Sequence, residues 1–309
     1  MLLRTYGGEI DNRSSRRHSF AMDTGGTMTG QPNRNLSRRA FAERMATGLV
    51  AASLRKFATA ESSSALASSG EQIAPKSKHL TIGCLVFPRQ DQIDFTGPFE
   101  VLSRIPNSTV HVIAKTMDPV RDIKGMILTP EITIAEAPPL DLLLVPGGIG
   151  QQALMEDEEV LSLIKHQADS GRYVFSVCTG ALLCGAAGIL RGRRATTHWA
   201  SWDLLHYYGA IPTKSRFVVD GNYISTAGVT AGLDGSLKVA SMLRNDQVAQ
   251  QIQLAIEYAP DPPFHSGTPD TAPPEVIRAF FEQYGNVQKS RAAEAHRFAI
   301  KLGIPDKPS

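Results

Sequence analysis

The chain has 309 residues, with 32 Lys/Arg against 30 Asp/Glu and a formal net charge of +2. Residues 1–60 hold ten Lys/Arg and four Asp/Glu, so the remainder is mildly acidic and gives no reason to expect a nucleic-acid partner. Its three cysteines are too widely spaced for a disulfide framework or a zinc pattern. No apolar run approaches the roughly eighteen residues of a membrane span, so no stable membrane association is expected.

Residues 1–78 show no sustained hydrophobic period and are crowded with Ser, Gly, Thr, Ala and Arg, as in a disordered basic extension. Within them, Asn35-Leu36-Ser37-Arg38-Arg39-Ala40-Phe41, a weakly apolar stretch at 45–54 and the small-x-small site Ala58-Thr59-Ala60 resemble a twin-arginine export signal. The short apolar stretch and Arg55-Lys56 just before the cleavage site argue against a signal, and a plain basic extension and an export signal both stay open. A working signal would place the protein in the periplasm. Residues 79–305 then form one domain, long enough for a well-filled α/β core.

In chain order, 79–87 reads as a strand stopped by Pro88. A turn at 92–98 leads into a helix from Phe99, with Pro98 near its first position. A second strand follows at 110–115, then a short strand pair or sheet edge at 127–134. The near-continuous apolar run 140–145 has the character of a parallel strand covered on both faces, and it ends in Pro146-Gly147-Gly148-Ile149-Gly150. Residues 152–170 form an amphipathic helix. The aromatic and β-branched run 172–177 is a buried strand, and the Ala/Leu-rich segment after it is a helix ended by Gly188.

A turn covers 188–194 and a helix 201–208. Residues 216–220 and 222–227 make a hairpin across Asp220-Gly221. Helices follow at 232–243 and 247–258, a Pro-rich irregular stretch at 260–274, and a last helix to about Leu302. There is no internal repeat. The alternation predicts an α/β, flavodoxin-like parallel sheet sandwiched by helices, with ligands bound beyond the C-terminal ends of the strands.

Three turns lie at that rim: Asp94-Phe95-Thr96-Gly97, Pro146-Gly147-Gly148 and Cys178-Thr179-Gly180. Cys178 sits where strand becomes helix. There a side chain is pushed toward solvent, beside the free N–H groups and positive end of the new helix, which favour a thiolate. This is a nucleophile elbow with sulfur in place of oxygen. The competing reading is inert buried filler, the reading taken for Cys84 and Cys184.

Backbone N–H groups of Gly148 and Thr179 would converge on a developing negative charge, or else Gly147 and Gly148 form a plain loop. Asp94, between Ile93 and Phe95, would be partly desolvated near a thiolate; both effects raise its pKa and suit a general acid. A helix cap or solvated turn is the alternative. The Thr179 hydroxyl would hold a water or ligand, or cap the helix. His198 either reaches the sulfur or serves structure, and His265 in the Pro-rich loop either lies over the pocket or does not; the spacing leaves both open. Residues 228–234 either wall the site or connect strand to helix. Trp199 and Trp202 read as packing residues, and Phe95, Ile149, Val229 and Phe264 as pocket lining.

Taken together, several segments make 80–302 resemble the PfpI branch of the class I glutamine amidotransferase-like superfamily, and within it the bacterial isonitrile hydratases. They are Ile93-Asp94-Phe95-Thr96-Gly97-Pro98, Val145-Pro146-Gly147-Gly148, Ala153-Leu154-Met155-Glu156-Asp157, Ser176-Val177-Cys178-Thr179-Gly180 and Gly192-Arg193-Arg194-Ala195-Thr196-Thr197-His198-Trp199. Glu257-Tyr258-Ala259-Pro260, Pro262-Pro263-Phe264 and the Gly-Thr-Pro-Asp-Thr-Ala-Pro run at 267–273 complete the set.

The resemblance implies a homodimer in the cytoplasm, with no metal and no organic cofactor. It implies hydration of a small-molecule isonitrile to the N-substituted formamide. Carried over by position, Cys178 is the nucleophile, Asp94 its acid/base partner and Thr179 an assisting residue. Thr179 stands where peptidase and amidotransferase members carry His, which disfavours amide cleavage. The same elbow and Thr-Thr-His-Trp segment resemble sensor domains of AraC-like regulators, but the about 35 residues after the Pro-rich loop leave no room for a helix-turn-helix pair. A stand-alone sensor or redox protein, and glyoxalase or deglycase chemistry (which usually sets Glu where this chain has Asp94), are the other readings.

Overall fold

A computed structural model describes residues 78–305; the basic extension and its Arg38-Arg39 segment lie outside the described residues. The elements are β1 (Leu80–Leu85), α1 (Gln92–Leu102), β2 (Ser108–Ala114), β3 (Val120–Arg121), β4 (Ile127–Leu128), β5 (Ile132–Thr133) and β6 (Leu142–Val145). A 3-10 turn (Ile149–Leu154) leads to α2 (Glu158–Asp169), β7 (Tyr173–Ser176) and α3 (Gly180–Ala186). Then come β8 (Arg194–Ala195), a longer 3-10 segment (Trp199–Tyr208), β9 (Ile211–Pro212), β10 (Phe217–Asp220) and β11 (Tyr223–Thr226). Helices α4 (Ala231–Leu243), α5 (Asp246–Ala255) and α6 (Pro274–Leu302) complete the domain.

Seven strands form the main sheet in the order β10-β11-β7-β6-β1-β2-β5. Every neighbouring pair is parallel except β10 with β11. Strand β6 sits centrally and is buried along its whole length. Its side chains alternate: Leu142 and Leu144 join one apolar cluster with Phe95 and Val239, whereas Leu143 and Val145 join another with Ile164, Leu182 and Phe298. Helices α1, α4 and α5 therefore cover one face, and α2, α3 and α6 the other, the α/β sandwich that alternating elements predict.

Two local expectations change. Helix α1 starts at Gln92, because the Asp91 side chain caps it by accepting from the Ile93 N–H at 3.2 Å. Asp94 is therefore in the first helical turn, and Pro98 is interior, where its missing N–H frees the Asp94 carbonyl. The segment 152–170 is not one helix, since Asp157 caps a separate α2 by accepting from Val160 N–H. The β10–β11 hairpin turns across Asp220-Gly221 as expected, with the positive φ at Gly221 (61°) and Asp220 paired opposite Tyr223. The segment read as helical over 201–208 is helical from Trp199 to Tyr208 and winds as 3-10 helix. The 127–134 region supplies both expected forms: β4 pairs antiparallel with β3, and β5 forms the edge beside β2.

Candidate active site

The three rim turns meet. Parallel pairing sets Val145 beside Ser176, so the turns leaving β6 and β7 start level with each other. The Gly147 N–H donates to Asp94 Oδ2 at 2.9 Å, and the Gly147 carbonyl accepts from Asp91 N–H at 2.9 Å. The Gly148 N–H donates to Thr179 Oγ1 at 3.1 Å, and that hydroxyl lies 3.3 Å from the Gly148 carbonyl. Backbones approach so closely that a Cβ on Gly147 would meet the Thr179 nitrogen at 2.5 Å, and one on Gly180 the Val145 oxygen at 2.1 Å. Glycine at these positions is a steric requirement.

Cys178 occupies the corner between β7 and α3 with φ 55°, in the left-handed region that L-residues pay to enter. Its N–H donates to the Ala227 carbonyl at 3.0 Å, and its own carbonyl accepts from Thr197 Oγ1 at 2.7 Å. The turn is thus fixed from both sides, as in a nucleophile elbow.

The environment of the sulfur differs from expectation. Cys178 is only 5% exposed and belongs to the apolar cluster on the α1/α4 face. Burial pushes its thiol well up, the Asp94 charge adds to this, and Arg291 and the Thr179 N–H pull it down. The helix N-terminus alone therefore does not produce a thiolate, because desolvation outweighs it. The sulfur is nevertheless not sealed in hydrocarbon, since a carboxyl, a guanidinium and a backbone donor surround it.

Asp94 is fully buried. Burial holds its carboxyl well above the usual range, the neighbouring Asp91 charge adds to this, and the Gly147 N–H, the Cys178 thiol and Arg291 oppose it. Its position in the first turn of α1 favours the carboxylate, but that effect is smaller than the loss of water. Oδ2 is held by Gly147, while Oδ1 has no hydrogen bond of normal geometry and is the oxygen free to serve the sulfur or a substrate.

Gly148 does not offer the donor expected of it. Its N–H is committed to Thr179 Oγ1, whereas the Thr179 N–H is turned to the sulfur. Thr179 is a clasp between two turns; its side chain makes no cap on α3. His198 caps the 3-10 segment, its Nδ1 accepting from Ala200 N–H at 3.2 Å, and burial with the Arg291 charge lowers its pKa to about 4. Neutral and engaged, it serves structure. Phe264 and its neighbour His265 are exposed.

A cavity of about 570 Å³ lies behind the elbow, lined by residues including Thr197, His198, Trp199, Trp202, Val229 and Thr268. Cys178, Asp94 and Thr179 do not line it, and Ala227 and Thr197, which bond Cys178, form the wall between. Of the pocket-lining residues expected, only Val229 faces it, and the two tryptophans both pack and line. Among the described residues, no group of three or more His, Cys, Asp or Glu is placed to hold a metal ion.

One charged residue escaped the sequence reading. Arg291 on α6 is 5% exposed, and its Nη2 lies 3.2 Å from the Gly148 carbonyl and 3.4 Å from Thr179 Oγ1. The signal was present: Arg291, Ala295 and Phe298 fall at i, i+4 and i+7, and all three are buried.

Known proteins resemble this chain in sequence and in fold. The model of the DJ-1/PfpI family matches residues 81–242, which include all three turns. The chain is 48% identical over 225 residues to an isonitrile hydratase of Pseudomonas putida, covering 73% of this chain and 99% of that protein. It is 31% identical over 136 residues to the HTH-type transcriptional regulator GbdR of Pseudomonas aeruginosa, covering 43% of this chain and 37% of the regulator. A crystal structure of a ThiJ/PfpI family protein from Pseudomonas syringae superimposes with a TM-score of 0.70 at 36% identity, covering 76% of this chain and 97% of the other.

Proposed function

Because the chain belongs to the DJ-1/PfpI family and is a homologue of isonitrile hydratase over most of its length, we propose that it hydrates isonitriles to N-substituted formamides at Cys178. The observation that carries this reading is the buried Asp94 carboxyl beside the Cys178 thiol, both pushed toward their protonated forms. Two acids in one dry site disfavour a second negative charge, so the pair does not ionise fully and a proton stays within it. Such a pair delivers a nucleophile and a proton to the same atom, which the isonitrile carbon requires.

The chemistry balances as follows. The Cys178 sulfur bonds to the isonitrile carbon as the shared proton passes through Asp94 to that carbon, giving a thioimidate, R–N=CH–S–Cys. Asp94, now ionised, takes a proton from water as the oxygen adds to the thioimidate carbon. That proton passes to nitrogen, the C–S bond breaks, and the hydroxyl proton returns to the Asp94–Cys178 pair. Formamide leaves with one hydrogen on carbon and one on nitrogen, and the enzyme is unchanged. The Thr179 N–H, turned to the sulfur, supports its negative charge. Thr179 and Gly148 hold the two turns in register.

The test is turnover of cyclohexyl isocyanide, followed by formamide appearance, with methylglyoxal consumption measured in parallel. Wild-type protein is expected to form the formamide and Cys178→Ala to form none, with an adduct on Cys178 visible by intact-mass spectrometry. Methylglyoxal turnover without isonitrile turnover would replace this reading with glyoxalase-type chemistry. We also infer a homodimer, by analogy with the family, to be checked by light scattering.

A further inference from the structure

We propose that Arg291 is a positioning residue of this site: from α6 it holds the Gly148 turn against Thr179 and sets one fixed positive charge opposite the Asp94–Cys178 pair. The part concerning turnover rests on the hydratase reading; the part concerning the charge of the sulfur does not.

Arg291 is buried, its Nη2 touches only neutral oxygens, and its Nε is buried without a partner. A guanidinium does not give up its proton, and a buried one without a matching anion is strongly unfavourable. The groups facing it are Cys178 and Asp94 at the rim, Glu294 on its own helix and Tyr208 from the 3-10 segment, with His198 also within its field. Asp91 faces the sulfur from the start of α1. Tyr208 is held neutral by burial, and burial raises the Glu294 carboxyl to about 7, so neither is a full counter-ion at neutral pH. Asp94 and Cys178 are the remaining groups that face Arg291 from the rim, and the guanidinium favours a negative charge on either of them. The same nitrogen holds the turn that carries the Thr179 clasp, so charge and geometry are set by one side chain.

The experiment uses the full chain with Arg291→Met and Arg291→Lys. The rate of Cys178 alkylation by iodoacetamide is measured against pH, with Cys178→Ala as the background. The kcat and KM for cyclohexyl isocyanide are measured alongside. Arg291→Met should raise the alkylation midpoint by at least about 1 pH unit and lower kcat at least about tenfold, with KM changed less. Arg291→Lys, which keeps the charge, should return the midpoint most of the way to wild type. An unshifted midpoint in folded Arg291→Met, or no rescue by Lys, overturns the proposal. Should the Met variant fail to fold, Arg291→Gln carries the same expectation, and an unshifted midpoint there overturns it equally. Absence of isonitrile turnover in the wild type would sink the hydratase reading alone, because the alkylation midpoint judges Arg291 without it.

Discussion

Asp94 has two oxygens with different duties. Oδ2 is pinned by the Gly147 N–H, so the carboxyl cannot rotate, and Oδ1 is left with no other partner of normal geometry. Asn in place of Asp94 would keep an oxygen for Gly147 but could neither deliver nor accept the proton. Asp94→Asn should therefore lose at least about 10²-fold in isonitrile hydration while staying folded. Initial rates on cyclohexyl isocyanide measure this, and a rate within a few-fold of wild type would remove Asp94 from the chemistry. Two other buried groups shape stability rather than turnover, with opposite signs. The Glu294 carboxyl, raised by burial to about 7, binds more protons folded than unfolded, so its contribution falls as pH rises from the ordinary carboxylate range to about 7. His198, lowered by burial to about 4, is protonated sooner in the unfolded chain, so its contribution rises from about pH 4 to its ordinary value. Glu294→Gln removes the falling component, and its stability by urea denaturation should climb more steeply than wild type between pH 5 and 7. Parallel curves would show that Glu294 titrates normally.

The elbow is the element that converts sheet topology into a site. With Cys178 N–H on Ala227 and its carbonyl on Thr197, a non-glycine residue is held at φ 55° by bonds to two other segments. That arrangement stores strain, which glycine releases. Cys178→Gly should be about 1 kcal/mol more stable than Cys178→Ala by thermal or urea unfolding, although both are inactive. Equal stabilities would mean that the corner is not strained. Much of this element was legible in the sequence. The run Tyr173-Val174-Phe175-Ser176 is aromatic and β-branched, small residues follow Cys178, and Pro146-Gly147-Gly148 closes an apolar strand, so the corner and the meeting of turns follow from local pattern and topology. The start of α1 was misread because Pro98 is a conspicuous signal, whereas the cap that decides the matter is Asp91, four residues after Phe87 and as a signal no stronger than any other aspartate. The burial of Cys178 was not legible. It depends on α1, α4 and α6 closing on the rim from positions far away in sequence, and no local pattern reports that.

At the scale of the domain, the rim around Cys178 is completed by a helix far from it in sequence, α6. Helix α6 has 29 residues, about 43 Å of axis, and docks along the 3-10 segment Trp199–Tyr208 with Ala295, Phe298 and Ala299 buried. Trp199 meets Phe280 and Phe281 at ring-centroid distances of 4.6 and 5.6 Å, and Tyr208 meets Phe298 at 5.9 Å. Arg291 is carried between these aromatic anchors, so its reach to Gly148 depends on apolar contacts about two turns away on one side and about three on the other. Phe298 packs on Tyr208 about two turns along α6 from Arg291, which makes it the informative place to cut. Removing its ring leaves a cavity beneath α6 and should cost about 3 kcal/mol of stability. If the docking of α6 also holds Arg291 in place, Phe298→Ala should lower kcat at temperatures where the protein is fully folded and move the Cys178 alkylation midpoint in the same direction as Arg291→Met, though by less. Ile300→Ala, on the same helix but 83% exposed, should change stability by no more than about 0.5 kcal/mol and leave kcat and the midpoint alone. Unfolding curves, steady-state rates and alkylation profiles of the two variants side by side measure the coupling; a destabilised Phe298→Ala protein with a wild-type midpoint would show that α6 stabilises the domain without tuning the sulfur.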